Sequence, residues 1–217
     1  MSSLQISEIF HSIQGEGVRA GCPCVFVRLS GCDVGCVWCD TPHAKDPADG
    51  TSMTIDAILS AVAAYPCRLV QITGGEPLLQ DAAPTLAARL VDAGYTVLVE
   101  TSGTRDIAPF APPVVRIMDI KTPSSGASGR MWWPNLGRLR AGDEVKFVVA
   151  DRADYEWARG VMARTDYPGE VVTTLFGVVE GRLAASELAD WMLSDGVRAR
   201  LQVQLHRILW PGEDRGV

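Results

Sequence analysis

The chain has 217 residues, 47% of them hydrophobic, with a formal charge of −6 and six cysteines, a length and apolar content that suit one domain, residues 1–217, with a full core. A pI near 5.1 argues against direct nucleic-acid binding, which draws its affinity from clustered Lys and Arg neutralising phosphates. No stretch approaches the roughly 20 apolar residues of a membrane span, and the start, Met1-Ser-Ser-Leu-Gln-Ile6, lacks the basic and apolar regions of a signal peptide, so the expectation is a cytoplasmic protein with small-molecule partners and no membrane contact.

In chain order, the first apolar run rich in β-branched residues is Cys24–Leu29, the pattern of a strand buried on both faces. Straight after it comes Cys32-Asp-Val-Gly-Cys36-Val-Trp38-Cys39, a C-x₃-C-x₂-C loop. Three thiolates at this spacing can hold a 4Fe-4S cluster and leave its fourth iron open to a cofactor. Zinc competes, because His43 lies four residues beyond Cys39 and could complete a Cys₃His tetrahedron. On the loop alone both remain open, with iron–sulfur favoured. Cys22, Cys24 and Cys67 are expected as buried packing thiols rather than disulfides or a redox pair.

A helix is expected from Ile55, capped by Thr54. The next strand, Leu69–Thr73, runs into Gly74-Gly75-Glu76-Pro77, where adjacent glycines either make a plain turn or let the backbone approach a ligand. A helix from Pro84 ending near Gly94 leads to the strand Thr96–Glu100 and then Thr101-Ser102-Gly103-Thr104, hydroxyls suited to a polar cofactor edge. After an irregular loop with Pro109, Pro112 and Pro113, the strand Val115–Asp119 ends at the charged pair Asp119 and Lys121, followed by a second irregular loop through Trp132-Trp133-Pro134. The remaining elements are a strand at Val145–Val149, a helix at Asp154–Arg164, a strand at Val171–Phe176, a helix at Ser186–Leu193 and a strand at Leu201–Leu205, beside which His206 reads as a core histidine. Strand–helix alternation with right-handed crossovers gives an α/β fold: a partial (β/α)6-type barrel with a parallel sheet and some helices reduced to loops, its site at the C-terminal strand edge. A doubly wound sheet is the alternative.

The cysteine loop followed downstream by Gly-Gly-Glu-Pro resembles the radical S-adenosylmethionine (SAM) enzymes. The resemblance implies a partial TIM barrel of the radical SAM kind, with Cys32, Cys36 and Cys39 ligating a 4Fe-4S cluster and SAM on the open iron. It further implies that Gly74, Gly75 and Glu76 meet the methionyl amino end, that Trp38 packs near the adenine, and that zinc is the weaker reading.

A narrower resemblance spans nearly the whole chain. Glu8-Ile-Phe-His-Ser-Ile13-Gln14-Gly15-Glu16-Gly17, Phe26-Val-Arg28-Leu-Ser-Gly-Cys32, Cys39-Asp40-Thr41 and Gln202-Val-Gln204-Leu-His206 are similar to the 7-carboxy-7-deazaguanine synthases of queuosine and 7-deazapurine biosynthesis. These carbon–nitrogen lyases contract 6-carboxy-5,6,7,8-tetrahydropterin with loss of ammonia and use Mg²⁺. By position, the resemblance implies Ile13, Gln14, Gly15, Arg28 and Thr73 on the substrate, Thr41 on Mg²⁺, and Asp40, Ser102 and Lys121 on SAM, in a homodimer served by flavodoxin or a similar electron donor. On its own Arg28 reads equally as a strand charge, although a guanidinium fork matches a carboxylate bidentately. Two other functions share part of the pattern: a glycyl-radical-enzyme activating enzyme, which has the same cysteine spacing but acts on a protein backbone, and a zinc-binding interaction module. The Gln14–Gly17 start and Arg28 favour a small carboxylated substrate over the first, and the second leaves Gly74-Gly75-Glu76-Pro77 unexplained.

Overall fold

A computed structural model describes residues 2–217. The chain opens with a long strand, β1 (Ser3–Ile13), which returns antiparallel as β2 (Pro23–Leu29), while β3 (Thr51–Thr54) pairs antiparallel with the other side of β1. From β2 onward the sheet is parallel and in sequence order: β4 (Leu69–Gly74), β5 (Thr96–Thr101), β6 (Val115–Ile120), β7 (Glu144–Val149), β8 (Thr173–Val178) and β9 (Arg200–Leu201). Helices α1 (Ile55–Ala63), α2 (Ala83–Asp92), α3 (Arg152–Met162) and α4 (Ala185–Asp195) supply crossovers, and a short α5 (Leu205–Leu209) follows β9. The sheet is open, with β3 and β9 at its edges. As expected, the connections after β5 and β6 carry no α-helix, the second running through 3₁₀ turns at Pro123–Ser125, Ser128–Arg130 and Trp133–Arg138. Among the described residues no helix is long and apolar enough to cross a membrane.

Local chemistry explains the helix starts. Thr54 Oγ1 accepts from Ala57 N at 3.2 Å and caps α1, and Asp151 Oδ1 accepts from Asp154 N at 2.9 Å at the start of α3. These caps satisfy donors that the first turn leaves free. The strands carry two different faces. Val25, Val27, Leu29, Val70, Ile72, Val97 and Val99 point into a core covered by α1 and α2. The alternate residues begin apolar, with Phe10 stacked on Phe26 at 4.9 Å above Leu69, Leu98 and Ile117, and become polar toward the strand ends as Arg28, Gln71, Thr73, Glu100, Asp119 and Lys146. Period-two alternation thus puts grease behind the sheet and charge in front of it.

Several sequence expectations need correction. β1 was not expected, because its buried Leu4, Ile6 and Phe10 alternate with Gln5, Ser7 and Glu8 rather than forming an apolar run. β8 begins two residues later than expected, leaving Val171 49% exposed. The last strand stops at Leu201, and residues expected to extend it pass into α5, so His206 is helical and not a core strand residue. Cys22 is exposed, not buried. Cys24 is buried as expected, its thiol pushed up to about 12 chiefly by desolvation.

The stem of the cysteine loop is clamped to the end of β4. Gly75 N donates to Leu29 O at 2.9 Å and Glu76 N to Gly31 O at 2.8 Å. A Cβ on Gly75 would lie 2.0 Å from Gly31 O, and one on Gly74 2.2 Å from Leu29 O. Backbone cannot yield as a flexible side chain can. Gly75→Ala should therefore destabilise the protein by ~3 kcal/mol or more, the upper end of overpacking penalties. Gly160→Ala, in the open on α3, should stabilise by ~0.5–1 kcal/mol through helix propensity. Urea denaturation of both variants checks the opposite signs.

Candidate active site

The polar strand ends and the loops that follow them surround a cavity of about 410 Å³. Cys32, Cys36 and Cys39 line it, with Trp38, Asp40 and Thr41 on the same loop. Gly35 takes φ +75°, a left-handed bend that turns the loop between the first two thiols. Two distant segments hold the loop in place. Arg130 donates to Asp33 O, and Asp33 Oδ2 receives Arg105 at 2.8 Å and Arg130 at 3.2 Å. Trp38 Nε1 donates to Ser124 Oγ at 3.3 Å, and the Ser124 hydroxyl in turn donates to the buried carboxylate of Asp154.

Arg28 stands at the end of β2. Its Nε donates to Glu8 Oε1 at 2.7 Å, and its guanidinium lies 5.7 Å from the Phe10 ring centre. One edge of the fork is thus held by β1. His43 Nε2 lies 3.4 Å from Glu8 Oε1, beside β1, and makes no hydrogen bond among the described residues. Among the described residues no three His, Cys, Asp or Glu side chains form a single-ion site.

Across the cavity Lys146 is buried among carboxylates. It donates to Glu16 Oε2 at 2.9 Å and to Glu100 Oε1, with Asp119 Oδ2 3.8 Å away. Burial alone would lower the Lys146 pKa, but Glu100, Glu16 and Asp119 outweigh it and hold the ammonium well above its usual range. Burial likewise opposes ionisation of Glu16, yet Lys146 and the amide of Gln204 bring it down to about 2. Glu100 is raised, first by burial, with Lys146 opposing. Burial lowers His206, which favours the neutral imidazole.

The structure brings nearly all the expected site residues to this one cavity: Ile13, Gln14 and Gly15 from the end of β1, Arg28, the cysteine loop through Thr41, Thr73, Gly74, Gly75, Ser102 and Lys121. Glu76 is the exception. Its side chain is fully buried, and its oxygens accept from Leu78 N, Thr101 Oγ1, Ser102 N and Ser102 Oγ, a cap that ties the end of β4 to that of β5. The sequence reading gave no site role to Glu16, Gln71, Lys146, Gln204 and His206. Lys146 and Gln71 were hidden inside apolar strand runs. Their signal was available, since a charge or amide in the middle of a buried strand needs a partner. Glu16, Gln204 and His206 belong to quoted motifs, but they meet only because Leu205 N donates to Gly15 O at 3.1 Å and Gln204 Nε2 to Glu16 Oε1 at 2.7 Å, closing the cavity where the sheet does not.

The donor set fits an iron–sulfur cluster with SAM. Three free, partly exposed thiols face one cavity; burial raises Cys32 and Cys36, and iron binding would supply the charge that favours their thiolates. Asp119 Oδ1 is buried with no hydrogen-bond partner among the described residues, while Oδ2 accepts from Lys121 Nζ at 2.8 Å. Such an orphaned acceptor on a cavity wall calls for a donor from a ligand.

Replacing Lys146 by Met should cost ~3–5 kcal/mol at pH 7, the range for breaking a buried ion pair. Glu100 would then be raised further and Glu16 would lose the main cause of its depression, so at Glu100 the folded variant binds more protons than the unfolded chain. Its stability should rise as pH falls from 7 toward 5. Chemical denaturation across that range should show the gap to the wild type narrowing.

A model of the radical SAM superfamily matches residues 26–118. The 7-carboxy-7-deazaguanine synthase of Chlorobaculum tepidum is 45% identical over 99% of this chain and 97% of its own length. That of Koribacter versatilis is 41% identical over 99% and 100%. The crystal structure of QueE from Escherichia coli superposes with a TM-score of 0.77 at 25% identity, covering 93% of this chain and 94% of that one.

Proposed function

The chain belongs to the 7-carboxy-7-deazaguanine synthases of the radical SAM superfamily, and from that premise we propose how its residues divide the work within a single domain spanning residues 1–217. The reaction is the ring contraction of 6-carboxy-5,6,7,8-tetrahydropterin to 7-carboxy-7-deazaguanine with release of ammonia. The observation that carries the assignment of roles is the convergence on one cavity of Arg28, the three thiols and the Ile13–Gly15 segment.

Cys32, Cys36 and Cys39 hold the 4Fe-4S cluster, and Gly74, Gly75, Ser102, Lys121, Trp38 and Asp40 surround SAM. When bound, these groups supply one-electron cleavage of the sulfonium and the radical that takes a hydrogen from the carbon bearing the substrate carboxylate. Arg28 binds that carboxylate through the edge of its fork not taken by Glu8, and Phe10 and Glu8 keep the guanidinium from swinging away. Gln14, Gly15 and Thr73 contact the pterin, with the Ile13 backbone leading into them. Thr41 would offer its hydroxyl oxygen to Mg²⁺, a hard cation that takes oxygen ligands. Glu76 acts behind the wall: by holding Thr101 and Ser102 it positions the β5 edge of the SAM site. Asp119 Oδ1 adds an acceptor for SAM beside Lys121, a reading supported by its missing partner.

The proposal extends to a cytoplasmic homodimer reduced by flavodoxin or a similar donor. Exposed Leu193, Ile208 and Leu209 at the C-terminal helices support an apolar contact between copies.

Anaerobically reconstituted protein should be brown and should convert the carboxytetrahydropterin to carboxydeazaguanine. An intact cluster that cleaves SAM reductively without forming that product would sink the substrate assignment. Arg28→Met should lower kcat/KM for the pterin about 100-fold, on the order of two charged hydrogen bonds, with SAM cleavage continuing uncoupled from product.

A further inference from the structure

Two buried amides and a half-buried carboxylate facing the cavity form a directed line of hydrogen bonds that the proposed division of roles does not use. Gln14 Nε2 donates to Gln71 Oε1, and Gln71 Nε2 donates to Glu100 Oε2 at 2.9 Å. Gln14 and Gln71 are 3% and 4% exposed. The two ends of a primary amide are nearly equal in size, so its direction is set by its neighbours. Here the neighbours work one way only. Lys146 is donor-only and donates to Glu100 Oε1, while the Thr73 hydroxyl lies 3.4 Å from Oε2. The ammonium on Oε1 opposes the burial that raises Glu100 and favours the carboxylate, which accepts at both oxygens. Gln71 must therefore turn its amino end to Glu100 and its carbonyl to Gln14, which must answer with its own amino end. Gln14 Oε1 in turn accepts from Glu16 N at 3.2 Å. Flipping either amide would bring two like ends together inside a buried site.

We infer that Gln71, backed by Glu100 and Lys146, is a positioning residue for the substrate: it fixes the Gln14 amide so that its second N–H is the group offered to the cavity. The site then selects a ligand edge that carries an acceptor at that point, a carbonyl oxygen or an unprotonated ring nitrogen. This rests on the proposed contact between Gln14 and the pterin and deepens it. Gln71 acts through Gln14 and Glu100, with no need to touch the substrate itself.

Gln71→Met keeps the length of the side chain and removes both polar ends. In equilibrium dialysis with cluster-loaded, unreduced protein and SAM, it should bind the carboxytetrahydropterin about tenfold more weakly, the scale of one misdirected hydrogen bond. KM for the pterin should rise in parallel, and KM for SAM should stay within twofold. Gln14→Met should weaken pterin binding at least as much, and the double variant should bind no more weakly than Gln14→Met alone. If Gln14→Met binds the pterin as well as wild type, the contact and the relay both fall. If it weakens binding while Gln71→Met does not, the relay alone is overturned. Losses that add in the double variant, or equal losses for SAM and pterin, would mark Gln71 as merely structural and overturn the relay too. Gln71→Leu read by the same measurements replaces Gln71→Met should the latter not fold.

Discussion

Leu29–Gly31 and Gly74–Glu76 approach so closely that neither Gly74 nor Gly75 has room for another atom. A Cβ on Gly75 would sit at 2.0 Å from Gly31 O, well inside van der Waals contact. Two backbone hydrogen bonds, Gly75 to Leu29 and Glu76 to Gly31, fill the space instead. Gly31 N and Cys32 N then donate to Ala44 O and Lys45 O, so the entry and exit of the cysteine loop are tied to each other as well as to β4. The two most recognisable motifs of the chain are in this way one mechanical unit. Adjacent glycines suggested either a turn or a ligand's approach, and the packing adds a third reason: the neighbouring strand end already occupies the space.

Charge placement repeats the same economy. The alternate strand residues that face away from α1 and α2 carry Arg28, Gln71, Thr73, Glu100, Asp119 and Lys146, so the parallel register lines up a polar surface without any single strand looking polar. A buried ammonium with carboxylates on several sides is costly to desolvate and is held by geometry rather than by simple attraction. Once in place, it makes its surroundings directional. Gln71, Gln202 and Gln204 all turn an amino end toward Glu100 or Glu16. Rigid, one-way hydrogen bonding suits a site that must hold a small substrate in register with a radical, where misplacement lets the reactive species find another target.

The open sheet explains why the C-terminal segment matters. Strand pairing ends at β9, a two-residue element, so the gap facing β1 is closed by Gln202, Gln204 and α5 against the Gly15–Gly17 turn. Gly15 lies under His206, where a Cβ would come within 2.7 Å of Nδ1. The segment expected as a seventh strand and a core histidine is instead a lateral closure. Its sequence, Leu201-Gln-Val-Gln-Leu205, alternates like a strand, and only its contact with Glu16 shows that the glutamines are spoken for.

Local sequence determined much of this protein by itself. Spacing in Cys32–Cys39, the Gly74–Pro77 turn, Thr54 before α1 and the alternation of apolar runs with helical patterns are short-range signals, legible because each depends on residues a few positions apart. They were enough to place the fold class, while the site residues came from the resemblance that those motifs carry, and nearly all of them meet in one cavity. Tertiary structure alone decided the rest. That Glu76 braces β5 and lies behind the wall, that Glu8 holds Arg28, and that Lys146 joins Glu16 to Glu100 are contacts between residues up to 130 positions apart. Their partners are chosen by sheet order and register, and the energy of a buried charge or amide depends on what faces it, which no stretch of neighbouring residues specifies.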